Sequence, residues 1–263
     1  MLVTLNRPAQ LNAIPSSQHA PLDGLFRWYD AQPSLRCAVV TGTGRAFCAG
    51  ADLKEWDQRN AASASDPEAA ARARASGGGL RLASGGFGGL SNRVGKKPVI
   101  AAVNGLCLGG GMEMVVNCDL VVAAANATFG LPEVKRGVVA LAGALPRIVR
   151  IFGRQRAAEM AFTGRTFTAK EMEAWGLVNR VVDQAELVGA AVRLAETIAD
   201  NSPDSVIVSK EGLRLGWEGI GPELGTELLE KGLYGRLVAG DNTREGVRSF
   251  VEKRKPVWQD SKL

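Results

Sequence analysis

The segment "AAVNGLCLGGGMEMVVNCDLVVAA", residues 101–124, restricts what this chain can fold into more than any other stretch. Three consecutive glycines, Gly109, Gly110 and Gly111, separate two runs that otherwise read as buried core, and a single carboxylate, Glu113, comes two residues later. Glycine belongs where backbone turns with positive φ or where something approaches closely, and elsewhere it carries an entropic cost. A lone glutamate among Met112, Met114, Val115 and Val116 is expensive to bury unless its charge is used or neutralised. Both features ask for a chemical reason.

The surrounding sequence repeats one plan. "CAVVTGTGRAFCAG" reads as an apolar strand over Cys37 to Val40, a Thr/Gly turn, a short strand over Ala46 to Cys48, and Gly50 leading into the polar helix start "ADLKEW". "PVIAAVNGLCLGGGMEMVVNC" repeats it, with strand Val99 to Val103, turn Asn104-Gly105, short strand Leu106 to Leu108, the glycines, and a helix from about Gly111. A third copy runs through "DLVVAAANATFGLPEV": strand Leu120 to Ala124, a turn at Asn126, short strand Thr128-Phe129, and a turn into Glu133. No single ββα unit covers its own apolar face, so repeated units stack into a spiral. The expected fold is therefore α/β. Downstream, "GRQRAAEMAFTG" and "TAKEMEAWGLV" read as helices closing at Gly164 and Gly176, and from "AELVGAAVRLAETIADNSP" onward the pattern is helical throughout. That change places a domain boundary near Ala199, with a spiral core over 1–199 and a helical region over 200–263. Residues 60–97, rich in Ala, Ser and Gly, read as a helix and a mobile loop, suited equally to a lid or a linker.

Other features narrow the function. The chain has 263 residues and 46% hydrophobic content, enough for a substantial core, and 32 Lys and Arg against 27 Asp and Glu give a net charge of +5. The basic residues are scattered without interleaved aromatics, which suits an anionic small molecule and gives no reason to expect nucleic acid. Cys37, Cys48, Cys107 and Cys118 form no CxxC pair and are preceded by no secretory leader, so free thiols in a reducing compartment are expected. No apolar run reaches the roughly 20 residues of a membrane span. The single histidine, His19, in "SSQHAP", reads as an exposed helix residue, and without Cys/His spacing no metal site is expected. The ending Ser261-Lys262-Leu263 is the tripeptide read by the peroxisomal import receptor, which makes that receptor an expected partner and the peroxisomal matrix the expected location.

The first two glycine turns each lead from a buried strand into a helix start, where unpaired backbone N–H groups favour negative charge. Side by side they would aim two donors at one point, the arrangement of an oxyanion hole. The pair of segments "FCAGADLKEW" and "KKPVIAAVNGLCLGGGMEMVVNCDL" resembles the crotonase superfamily, whose largest group is the enoyl-CoA hydratases. The likeness continues through "LNRPAQLNAI", "ATFGLPEVKRGV", "AFTGRTFTAKEMEAWGLVNRVV" and "SFVEKRKP". The resemblance implies a crotonase-like spiral with a C-terminal helical oligomerisation region forming a homotrimer or a hexamer of paired trimers. It implies that the Ala51 and Gly110 N–H groups hold the oxygen of an acyl-CoA thioester, and that Glu113 and Glu133 share a water as acid and base in hydrating a trans-2-enoyl-CoA to the 3-hydroxyacyl-CoA. Coenzyme A is then part of the substrate and no separate cofactor is expected. Arg45 and Lys54 flank the first turn where its phosphates would lie; by resemblance Ala49, Asp52 and Leu53 line the adenine pocket, and Phe250 and Lys253 reach coenzyme A from a neighbouring subunit.

The sequence departs from the family pattern in three places. After Glu133, where many family hydratases have a glycine-rich turn, this chain reads "KRGVVALAGALPRIV", with Leu141 and Ala142 in that region; Ala9 replaces a common lysine; and "MLVTLNRP" begins inside the usual first strand hairpin. The first departure implies an altered acyl pocket. Two rival readings stand beside the hydratase: an enoyl-CoA isomerase in which one glutamate shuttles a proton, and a catalytically weak member that binds RNA or serves assembly. Retention of both glutamates favours hydration, and the absence of a lysine-rich cluster argues against RNA.

Overall fold

The structure, a computed structural model, describes residues 1–65, 68, 82 and 84–263. The middle of the Ala/Ser/Gly-rich stretch read as a lid or linker lies outside the described residues. Two sheets carry the core. The five-stranded sheet is parallel throughout, in the order β1 (Leu2–Leu5), β2 (Ala38–Gly42), β4 (Val99–Val103), β6 (Leu120–Ala124) and β9 (Arg180–Val182). The second sheet orders β3 (Ala46–Cys48), β5 (Leu106–Leu108), β7 (Thr128–Gly130) and β8 (Phe167–Thr168), with only β8 antiparallel. Each turn of the spiral thus gives its long strand to one sheet and its short strand to the other, then enters a helix: α2 (Leu53–Ser65), α3 (Gly110–Val116), or the 3-10 turn Pro132–Arg136. This is the expected ββα spiral, with α3 starting one residue earlier than the sequence pattern predicts.

The apolar runs have a cause in the packing. Strands of a parallel sheet covered on both sides carry hydrophobic residues continuously. Val40, Ala101, Val103, Val121 and Ala123 face the main core with Phe47, Phe129 and Met112. Val39, Ile100, Ala102, Val122 and Ala124 face the opposite side, where α7 (Leu187–Ala199) supplies Leu187, Ala190 and Ala191. Helices α1 (His19–Ala31), α4 (Ala144–Phe152), α5 (Arg154–Thr163) and α6 (Ala169–Ala174) complete the core, the last opened by a Thr168/Glu171 capping box. Beyond it come α8 (Pro203–Trp217), α9 (Pro222–Leu229), α10 (Gly235–Val238) and α11 (Asp241–Val251). Among the described residues no helix is long and apolar enough to cross a membrane. The four cysteines are free, and Cys48 and Cys107 are fully buried in the short strands β3 and β5.

Candidate active site

Two asparagines set the glycine turns side by side. Asn104, the turn residue between β4 and β5, accepts the Gly42 N–H at 3.0 Å and donates to the Gly44 and Ala46 carbonyls at 2.9 and 3.0 Å. Asn12 donates to Thr43 and Ala46 from the other side. The first and second units are thereby stapled through side-chain bonds to backbone groups. At Gly50, φ is +96°, and a Cβ there would lie 3.1 Å from the Gly110 nitrogen. The two turns are in contact, and the Ala51 and Gly110 N–H groups leave from adjoining points of backbone. Gly110 opens α3, so its N–H has no acceptor within its own helix.

Glu113 sits one turn into α3, 4% exposed, and its Oε1 accepts the Ala144 N–H at 3.3 Å. The carboxylate does not cap its own helix, whose N-cap is Gly109 without a side-chain bond. Burial pushes its pKa up to about 7; the Ala144 N–H opposes the shift, and the charge of Glu133 adds to it. Glu133 opens the 3-10 turn after β7 and leans over the second glycine turn, where a Cβ on Gly109 would lie 3.1 Å from Glu133 Oε1. Burial raises its pKa also. Among the described residues its buried Oε2 meets no protein donor, the side chains of Lys135 and Arg136 included. Two carboxyl groups of raised pKa, coupled through their charges, therefore lie beside two touching glycine turns, a setting in which a proton can be taken and returned at neutral pH.

The family described as enoyl-CoA hydratase/isomerase matches residues 1–84 and 88–261. The chain belongs to the enoyl-CoA hydratase/isomerase family. It is 59% identical to the mevalonyl-coenzyme A hydratase of Beauveria bassiana and 52% identical to that of Aspergillus fumigatus, in each case over 100% of this chain and 92% of the relative. It is 36% identical to the carnitinyl-CoA dehydratase of Proteus mirabilis over 98% of this chain and 94% of that one. An enoyl-CoA hydratase crystal structure from Mycobacterium tuberculosis superimposes with a TM-score of 0.85 at 32% identity, covering 99% of this chain and 95% of that one. The fold is accordingly the crotonase spiral, and the chain is a hydro-lyase with hydratase-type activity on CoA thioesters.

Within this hydratase the remaining residues singled out in the sequence are dispersed. Arg45, Leu53 and Lys54 are exposed on the rim of the first turn, and Ala49 is half-buried with its N–H on the Leu11 carbonyl at 3.0 Å. Asp52 forms an ion pair with Arg7 at 3.2 Å, a tie that the sequence did not announce. Phe250, 85% exposed on α11, and Lys253, just beyond it, stand far along the chain from this rim, in the helical region expected to reach a neighbouring subunit. The tail is docked: Ser261 Oγ bonds Asp204, Lys262 pairs with Asp241 at 2.9 Å, and the Leu263 carbonyl accepts from Lys96. His19 corrects the sequence reading. It is 5% exposed, its ring lies 4.7 Å from Phe87, and its Nδ1 accepts the Gly88 N–H, because α1 packs against the 85–91 loop. Sequence reasoning also missed Arg147, which bonds Asn92 and the Gly143 carbonyl and whose positive charge slightly lowers the pKa of Glu113.

Proposed function

We propose that this hydratase interconverts a 2-enoyl-CoA and its 3-hydroxyacyl-CoA, with the 3-methyl, 5-hydroxy skeleton of mevalonate as its acyl group. The observation that carries the reaction is the pair of carboxylates, Glu113 buried and Glu133 half-buried, beside two touching glycine turns. The thioester oxygen lies between the Ala51 and Gly110 N–H groups, so that electron density moves onto it as water oxygen bonds to C3. One carboxyl group takes the proton released by the water, the other delivers a proton to C2, and the reverse sequence expels the C3 hydroxyl as water. The two carboxyls titrate as a coupled pair.

The acyl group is supported by the fungal relatives' names. Arg45 and Lys54 meet the coenzyme A phosphates, Ala49, Asp52 and Leu53 its adenine. The reading extends to assembly as a homotrimer or paired trimers, in which Val247, Phe250 and Val251, at i, i+3 and i+4 on α11 and all exposed, are covered and Lys253 approaches a neighbour's coenzyme A.

Loss of enoyl-thioester absorbance tests this, with 5-hydroxy-3-methylpent-2-enoyl-CoA, crotonyl-CoA and a long straight-chain 2-enoyl-CoA as substrates. Fastest loss is expected with the branched compound, and Glu113→Gln and Glu133→Gln each lower kcat by about 10²- to 10⁴-fold. Preference for a straight chain overturns the acyl assignment; a gain of absorbance from 3-enoyl-CoA with no hydration makes the enzyme an isomerase.

A further inference from the structure

The buried histidine has no part in the chemistry above, yet it is joined to it by a short chain of contacts. His19 and Asp23, one turn apart on α1, face the glycine-rich loop Gly85–Gly89. Asp23 Oδ1 accepts the Gly85 N–H at 2.9 Å, His19 Nδ1 accepts the Gly88 N–H at 3.1 Å, and Ser91 Oγ accepts the Phe87 N–H at 2.7 Å. Gly86, Gly88 and Gly89 have φ of +73°, +59° and +68°, so the loop is a tight glycine turn whose Gly85 and Gly88 N–H groups are fixed by side chains of α1 and whose Phe87 N–H is fixed by Ser91 of the loop itself. A Cβ on Gly88 would strike Met114 Sδ, and one on Gly110 would fall 2.6 Å from the Phe87 ring. The loop therefore lies against α3 at two places one turn apart, on either side of Glu113. The Phe87 ring is held between the His19 imidazole and the Gly110 backbone.

We infer that His19 is a positioning residue for the oxyanion site: by accepting the Gly88 N–H it fixes the Phe87 ring as the wall that sets the Gly110 N–H. The inference rests on the proposed role of Gly110. It requires a bare Nδ1, since a protonated ring would set N–H against N–H. Burial lowers the His19 pKa against the opposing pull of Glu55, which keeps the acceptor available.

Two substitutions separate the acceptor from the ring. His19→Phe keeps an aromatic ring against Phe87 and removes the acceptor; His19→Asn keeps an acceptor near the place of Nδ1 and removes the ring. Using the full chain and whichever enoyl-CoA the wild type hydrates, His19→Phe is expected to lower kcat about tenfold to a hundredfold with KM within about twofold of wild type. His19→Asn is expected to retain most of kcat. The carbonyl stretch of bound [1-13C]butyryl-CoA, shifted to lower frequency by the two N–H donors in the wild type, should return toward its free value in His19→Phe only. Circular dichroism melting identifies a variant that has merely unfolded. Equal kcat in wild type and a folded His19→Phe, or equal losses in both folded variants, overturns the inference. Failure of the wild type to hydrate any enoyl-CoA would count against the proposed reaction, and an unshifted carbonyl in the wild type against the role of Gly110.

Discussion

At Gly50 and at Gly109–Gly111 the chain makes the same move, from a short buried strand through glycine into a helix, and arrives in opposite surroundings. The first turn delivers Leu53 and Lys54 to solvent; the second delivers seven buried residues in succession, Gly110 to Val116. A backbone donor is the same group in both places, and the burial of the helix it opens decides the local dielectric. At the wet turn a charge is cheap and screened, suited to holding phosphates. At the dry turn a carboxylate is costly, and that cost appears as the raised pKa of Glu113. Under the proposed function, one supersecondary device, used twice in contact, yields a binding rim and a proton-transfer site.

The contrast can be broken most forcefully at Gly110. Gly110→Ala drives a methyl group toward the Phe87 ring, and kcat should fall by about 10²- to 10³-fold in steady-state hydration assays as the donor is displaced. Retention of full activity would mean that the second turn supplies no donor.

A smaller effect sharpens the claim that the second turn is dry. Because the folded-state pKa of Glu113 is raised from 4.5 to about 7, the folded protein binds that proton more tightly than the unfolded chain. The associated stabilisation is fully present below pH 4.5 and is lost as pH rises through about 7. Glu113→Gln escapes the loss, so urea denaturation should find it more stable than wild type at about pH 8, by about 1–3 kcal/mol, and the difference should shrink toward about pH 5. A constant difference across that range would place the carboxylate in water. The least effect belongs to the wet turn: Lys54→Ala should raise KM about two- to fivefold with kcat unchanged, and the increase should fade in about 0.5 M salt.

The legibility of the sequence divides along the same line. Strands Val99–Val103 and Leu106–Leu108 are readable to the residue because each is an apolar run ended by Asn or Gly, and Leu120–Ala124 is an apolar run closed by the turn at Asn126. Strands β8 and β9, two and three residues long, carry no run of their own and exist because the sheet edges require partners. Glu113 is conspicuous as a carboxylate among methionines and valines. Its clamp by the Ala144 N–H is not, since a backbone donor leaves no mark on composition. His19 misleads for a related reason. The sequence around it is polar, and the element that buries it is a loop almost seventy residues away, most of whose side of the contact is glycine.

The free cysteines give the spiral an internal stopwatch. Cys48 and Cys107 lie on neighbouring strands of the same floor, and a Cβ on Gly111 would collide with the Cys48 carbonyl, so these thiols sit directly beneath α3. Burial raises the pKa of Cys48 to about 12 and that of Cys107 well above its usual value, which leaves both protonated and shielded from alkylation in the closed state. Their labelling therefore waits on opening of the floor itself, and its rate reports how often the support of α3 gives way without any probe having been added.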